Sequence, residues 1–353
     1  MRIALPYNTH FGRYDTERVV GGIEKFCHQI NDTFDDVYII NIDNNDSIKY
    51  NTAKIKNFAK KINADIIISN WPQGSFSGAK MLNSEVPIMF INHTHGGVGG
   101  SILGLMKNIM NKNHSCYMVS EWQHNQYKLL ANIKNADDVV IDGYINSSYV
   151  IGDKPELLNI EYDCGTIGRC DPVEKKPFIM KDWLRSYDWQ TVVITNTPIY
   201  EKELKYLDKN SHWNNILLDM NHEDVMKTLS KCGTYFSSMW NETWGITALE
   251  ALSHGIPLIL NTKNGEHASI DLCAKESFYK LVTDGVETHD AIVSFEGIDR
   301  KEIQDATWDK HSYEKWKTSF INDIDRTIEK YKKQNIYYIM GEEPKYVWRN
   351  SNL

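Results

Sequence analysis

The stretch Gly233–Leu260, "GTYFSSMWNETWGITALEALSHGIPLIL", decides the fold. An apolar strand, "GTYFSSM", runs into a short loop. Helical periodicity starts near Gly245, with Ile246, Leu249 and Leu252 forming the apolar stripe. Gly255 sits where a left-handed C-cap is wanted, and Pro257 prevents continuation. "PLIL" is the next strand. The segment also carries two carboxylates, Glu242 just before the helix and Glu250 within it. Eight residues at about 100° each bring the second back within roughly 80° of the first, so both can face one cleft. Between them, Gly245, Ile246 and Thr247 offer backbone N–H groups at a helix start, a site suited to phosphate. Gly245 lets a phosphate approach closely. A carboxylate in the second turn suits ribose hydroxyls, and one in the loop suits the hydroxyls of a sugar beyond the phosphate. The pattern points to a nucleotide-sugar laid along a helix N-terminus.

Outward from that unit, strands and helices alternate along the chain. In the first half, "RIALPY", "DVYIINI", "DIIISN", "VPIMFINH" and "CYMVSEW" read as strands. Between and after them, "VVGGIEKFCHQIND", "NTAKIKNFAKKINA", "SILGLMKNIMNK" and "WQHNQYKLLANI" read as helices. In the second half, "IEYDCGTIG", "QTVVITN", "NNILLDM", "GTYFSSM" and "PLILNT" are strands with helices between. Continuous apolar strands that alternate with helices indicate parallel sheets covered on both faces. The segment Asp142–Asn159 lacks periodicity and reads as the linker. A last helix, from Ser312 to Gln334, carries Trp316, Phe320, Ile324 and Ile328 on one stripe and is expected to pack back across the first domain. The expected class is α/β, with two Rossmann-like doubly wound domains facing a central cleft. The expected domains are residues 1–150, residues 160–305, and a C-terminal helix and tail over 306–353.

The composition narrows the class. The chain has 353 residues, enough for two cores, and its 41% hydrophobic fraction excludes a disordered protein. No segment approaches the roughly 18 consecutive apolar residues of a membrane span, and the N-terminus reads as a first strand. Six cysteines, Cys27, Cys116, Cys164, Cys170, Cys232 and Cys273, are scattered without a Cys-x-x-Cys pair, which fits a reducing cytoplasm. The first 150 residues carry 14 basic and 14 acidic side chains, and the remaining 25 and 33 supply the whole net charge of −8. A polyanionic partner would therefore meet the first half more readily than the second.

"NETWGITALEALSHGIPLI" resembles the E-x7-E motif of retaining glycosyltransferases of the GT-B fold, family 4, with Trp244 where the family usually has Phe. The resemblance implies that Glu242 meets the donor sugar and Glu250 the nucleotide ribose. "TIGRCDPVEKKPF" resembles the family's Gly-Arg-x(4)-Lys loop, whose Arg and Lys neutralise the donor pyrophosphate. Arg169 matches directly. The lysine is displaced by one place, which makes Lys175 the candidate and Lys176 the alternative. "VVGGIEKF" resembles the N-terminal glycine-rich turn, with Gly21 and Gly22 against the pyrophosphate. "IMFINHTHGG" ends a strand with His93 where a family histidine lies beside the donor sugar. His95, two residues on, would share that direction if the strand continued. His-x-His can also hold a metal, but no third ligand lies nearby in sequence. The expected catalytic set is His93, Glu242, Arg169 and Lys175. Gly21, Gly22, Arg169, Lys175, Gly245, Ile246, Thr247 and Glu250 are expected to hold the donor.

The resemblance implies glycosyl transfer with retention of configuration, through an oxocarbenium-like sugar and a departing diphosphate. Arg169, Lys175 and the helix dipole would stabilise that leaving group. The departing phosphate would take the acceptor proton. No metal is expected, because side chains supply the positive charge, and no cofactor beyond the nucleotide-sugar donor, with UDP as the prior. Asp323 and Asp325, in "DID", are expected to be solvated on the last helix. For the acceptor, the leading expectation is 5-hydroxymethylcytosine in phage double-stranded DNA. The His-x-His is similar to the His-Asp-His of phage DNA alpha-glucosyltransferases, and the Asn, Lys, Ile and Tyr richness suits an AT-rich genome. Lys107, Lys112, Lys128 and Lys134 would supply a basic patch, with the base flipped into the cleft. The alternatives are an acceptor in cell-envelope polysaccharide or glycolipid synthesis, and a nucleotide-sugar epimerase or a non-catalytic sugar-nucleotide binding protein on the same fold. The sequence sets no oligomeric state.

Overall fold

The computed structural model describes residues 1–8, 22–42, 46–70, 84–93, 114–133, 141–170, 172, 176–198, 200–238, 242, 244–263 and 267–339. Two six-stranded sheets dominate it, and every strand pairing in both is parallel. The first sheet contains β1 (Ile3–Asn8), β2 (Val37–Ile42), β3 (Ile66–Ser69), β4 (Ile88–Asn92), β5 (Ser115–Met118) and β6 (Gly143–Tyr144). The second contains β7 (Tyr162–Ile167), β8 (Thr191–Thr195), β9 (Ile216–Leu218), β10 (Cys232–Ser237), β11 (Leu258–Asn261) and β12 (Tyr279–Val282). The central strands β3, β4, β5, β8 and β11 are buried at every position. That is why they read as unbroken apolar runs: helices cover both faces.

Strand order fixes where ligands can bind. The first sheet runs β2-β1-β3-β4-β5-β6 and the second β12-β11-β10-β7-β8-β9. The direction of winding reverses between β1 and β3 in one and between β7 and β10 in the other. In open parallel sheets, ligands settle outside the carboxyl ends of the strands at such a reversal.

Among the described residues the helices are α1 (Gly22–Thr33), α2 (Ile48–Lys61), α3 (Glu121–Ile133), α4 (Ile179–Leu184), α5 (Glu201–Asn210) and α6 (His222–Leu229). They continue with α7 (Ile246–Ser253), α8 (Gly285–Ser294), α9 (Arg300–Lys310) and α10 (Tyr313–Ile339). The helix expected at "SILGLMKNIMNK" lies outside the described residues. One buried cluster joins the two halves. It takes Phe26 and Ile30 from α1, Leu249 and Leu252 from α7, and Trp316, Phe320 and Ile324 from α10. Phe320 meets Phe26 and Phe34 at ring-centroid distances of 5.8 and 6.0 Å, and Trp316 Nε1 donates to Asn146 O at 2.8 Å. Burial of each of these three α10 side chains contributes about 1.5–3 kcal/mol.

Two expectations need correction. The segment Asp142–Asn159 is not a plain linker, because Gly143 and Tyr144 pair with Tyr117 and Met118 as the sixth strand of the first sheet. A two-residue strand is too short to show a period of two, so its signature is absent from the sequence. Asp323 is not solvated either. It is 4% exposed, beside Arg326 at 3.2 Å and near Asp142, and burial raises its carboxyl to about 6. Its place on the docking side of α10 puts it there, while Asp325 remains exposed.

Candidate active site

The second sheet's reversal point is flanked by two of the expected residues. Arg169 follows β7 and is exposed, and Glu242 follows β10. These are the two strands that flank the reversal. Glu242 is held by a parallel bridge to His267, with Ala268 N donating to Glu242 O at 3.0 Å. Gly245 then starts α7 as its N-cap, with φ 86° and ψ 63° and no side chain to cap the helix. A Cβ here would collide with Ser269 Oγ, which is fully buried. Only glycine meets both demands, a positive φ and a close neighbour. Thr247 faces inward, its Oγ1 accepting from Tyr235 Oη at 2.9 Å. Burial pushes the Tyr235 phenol up, and the charges of Glu242 and Glu250 add to the rise. Both carboxylates therefore act on one buried ring.

Glu250 is itself engaged. Its Oε1 lies 3.0 Å from Lys25 Nζ on α1 and 3.8 Å from His222 Nε2 at the start of α6. The helix is closed behind it: Glu250 O accepts from Ser253 Oγ at 2.7 Å and from His254 Nδ1 at 2.8 Å. Gly255 follows the C-cap with φ 71°, and there a Cβ would collide with Arg300 O.

The first sheet contributes from β3, β4 and α1. His93 directly follows β4, and its Nε2 lies 3.2 Å from Asn70 Oδ1 at the end of β3. Asn70 Nδ2 donates to Cys27 Sγ at 3.0 Å, which orients the amide. An amide oxygen only accepts, so in this arrangement Nε2 donates to it. The His93 ring stands edge-on to Phe26 at 5.1 Å. Burial holds the imidazole down to about 3, so it is neutral at pH 7. Because Lys25 and Phe26 are consecutive, the start of α1 touches both His93 and Glu250.

The remaining expected residues divide. Gly22 is the first residue of α1, while Gly21 lies outside the described residues, as do Lys175 and His95. Lys176, the alternative cation, is described and takes the left-handed φ of 40°. Of the basic patch, Lys128 is exposed on α3, and Lys107, Lys112 and Lys134 lie outside the described residues. Among the described residues, no group of three or more His, Cys, Asp or Glu is arranged to hold a metal ion. No described helix is long and apolar enough to cross a membrane, and all six cysteines are buried, none of them in a disulfide. Sequence reading missed Lys25, Asn70, His222 and Ser269. Only Lys25 left a trace, three residues after the Gly-Gly pair.

Comparison with solved structures decides the architecture. A glycosyltransferase from Rickettsia africae ESF-5 matches with a TM-score of 0.68 at 13% identity, covering 93% of this chain and 98% of that one. The fold is GT-B. The lipopolysaccharide outer core galactosyltransferase WaaB matches this GT-B chain with a TM-score of 0.63 at 15% identity, over 92% of it and 99% of WaaB. A variant of S. aureus TarM in complex with fondaparinux, alpha-GlcNAc-glycerol and UDP matches at 0.58 and 15% identity, over 78% of this chain and 59% of TarM. No family model matches the sequence, and no curated protein does.

Proposed function

We propose that the chain is a retaining glycosyltransferase that moves a sugar from a nucleotide-sugar to an acceptor hydroxyl. The observation that supports this reading is that Arg169 follows β7 and Glu242 follows β10, the two strands at one reversal point, while α1 bonds Glu250 through Lys25 and meets His93 through Phe26. GT-B neighbours, one of them with UDP bound, support a nucleotide-sugar donor. In this reading residues 1–150 form the acceptor domain, residues 160–305 the donor domain, and residues 306–353 the segment packing back.

The roles follow from charge. The diphosphate sits at Gly245, Ile246 and Thr247, where backbone N–H groups and the helix dipole meet it. Arg169 and Lys175, or Lys176 in its place, neutralise the leaving group, a guanidinium doing so in a bidentate way. Gly21 and Gly22 let the backbone approach the diphosphate. Glu242 holds the sugar hydroxyls and Glu250 the ribose. His93 is neutral, so it orients the sugar without placing a cation beside the oxocarbenium-like centre. The departing phosphate takes the acceptor proton, and no metal is needed.

The acceptor we propose is 5-hydroxymethylcytosine in double-stranded DNA, from the His-x-His at the β4 end and the AT-rich codon signature of the composition. A second reading, an envelope saccharide acceptor, is favoured by the likeness to WaaB and TarM. One assay separates them. The purified chain is incubated with hydroxymethylcytosine DNA and a panel of nucleotide-sugars, and the digested nucleosides are weighed by mass spectrometry. A gain of one hexose or pentose on the modified base supports the DNA reading. Slow release of nucleoside diphosphate without that gain moves the acceptor to the envelope. Conversion of one donor into another, with no diphosphate released, replaces transfer by epimerisation.

A further inference from the structure

Lys25 stands on the first sheet's α1, yet its ammonium bonds a carboxylate 225 residues away on α7. The pair is partly buried, with 22% and 16% of the two side chains exposed. A long side chain held in one geometry across two domains needs a reason beyond the modest net gain of an ion pair. The place of Glu250 supplies one. It lies five residues beyond Gly245, a rise of about 7.5 Å along the helix. The flexible four-carbon stem of lysine lets the ammonium pivot by several ångström without moving the backbone. An anion bound at the α7 N-terminus would lie about one and a half helical turns from Glu250, in the direction such a pivot could take.

We propose that Lys25 is a further donor-binding residue, held on Glu250 until a nucleoside diphosphate group arrives and then turned to that group. This rests on the donor reading above and adds to it a cation from the opposite domain. Charge decides the exchange. Glu250 offers the ammonium one negative charge and a diphosphate offers at least two, so the ammonium shifts toward the larger charge. Its departure frees Glu250 Oε1 to accept from ribose hydroxyls. His222, 3.8 Å from the same oxygen, borders the vacated space. One movement thus prepares both ends of the donor, and it happens only when a diphosphate is present.

The test is calorimetric titration of the full chain with UDP, GDP and ADP, and with the matching nucleosides, using the best-bound base. Lys25→Met is expected to weaken the diphosphate by about tenfold to a hundredfold, the usual scale for a lost charge-assisted bond. Nucleoside affinity should hold or improve, because Glu250 is released, and Lys25→Arg should stay near wild type for both ligands. Glu250→Gln, which removes the competitor, should bind inorganic pyrophosphate at least as tightly as wild type. This last arm stands even if Lys25→Met does not fold. Equal losses for diphosphate and nucleoside would make Lys25 a structural tie and overturn the proposal. Unchanged diphosphate binding in Lys25→Met, or weakened pyrophosphate binding in Glu250→Gln, would overturn it too. In each of these cases the donor reading survives. Wild-type protein that binds none of the three diphosphates overturns the donor reading and this proposal together.

Discussion

At the second sheet, Glu242, Gly245, Thr247 and Glu250 lie within 9 residues of one another in sequence, after the end of β10 and into α7, and Arg169 follows the neighbouring strand across the reversal point. At the first sheet, His93 and Asn70 sit at the ends of two strands, 23 residues apart, and meet because β3 and β4 pair. One edge is built by a local segment and presents charged side chains. The other is built by pairing and aims a neutral ring. A leaving group that carries several charges should depend most on the first edge, and the orientation of a sugar on the second.

The comparison breaks most readily at Arg169. Arg169→Ala should lower diphosphate release about a hundredfold to a thousandfold, the range for losing one preorganised electrostatic stabiliser. The residue is exposed, so the thermal midpoint should stay near wild type. Activity that survives intact would remove Arg169 from the site.

Next in size is the glycine that starts α7. Gly245→Ala meets two obstacles, the positive φ and the Ser269 hydroxyl, whereas Gly297→Ala meets only a φ of 74° with open space around it. Gly297→Ala should cost about 1 kcal/mol. Gly245→Ala should cost clearly more and also weaken nucleoside diphosphate binding. Equal thermal shifts for the two variants would show that Ser269 yields at no cost.

At the first sheet's edge, Asn70→Ala removes the partner of His93 Nε2 and the donor to Cys27. Loss of one such bond is worth about 1 kcal/mol, or roughly fivefold. If Asn70 positions the ring, kcat should fall while the donor KM holds. A KM that rises instead would mean that the His93–Asn70 pair contributes to ground-state binding.

The same contrast explains what the sequence shows. Among the described strands, β3, β4, β5, β8 and β11 are buried throughout, and five more, β1, β2, β7, β9 and β10, keep enough apolar residues to be read directly. β6 is two residues long, and β12, "YKLV", lies at a sheet edge with Lys280 and Leu281 exposed, so neither announces itself. The glutamates at 242 and 250 are legible because a helix converts sequence spacing into direction. Lys25 is not, because its partner is 225 residues away and only the packing of two domains brings them together. Asn70 and His222 are hidden for the same reason. The burial of Asp323 is not legible in the sequence, because helix position alone does not say which flank lies against a neighbour.

The smallest expected effects have opposite signs, which makes them separable. Burial depresses His93 to about 3 from an ordinary value near 6.5. Between those limits the unfolded chain binds a proton that the folded chain refuses, so this contribution is whole above about pH 6.5 and is lost as pH falls. Burial likewise lowers His311, to about 4, and its contribution has the same sign. Asp323 runs the other way. Its carboxyl is raised to about 6 by burial, with Asp142 adding to the rise and Arg326 opposing it, while Lys330 is bonded to Asp142 and Tyr117 Oη donates to the Asp323 carbonyl. Its contribution is present below the unfolded carboxylate range and is lost as pH rises through about 6. On going from pH 7 to pH 5, His93→Gln should therefore lose less thermal stability than wild type, and Asp323→Asn should lose more. Parallel curves for all three proteins would mean that neither environment is as desolvated as its packing implies. A change confined to His93→Gln would place the titrating burial at the first sheet's edge alone.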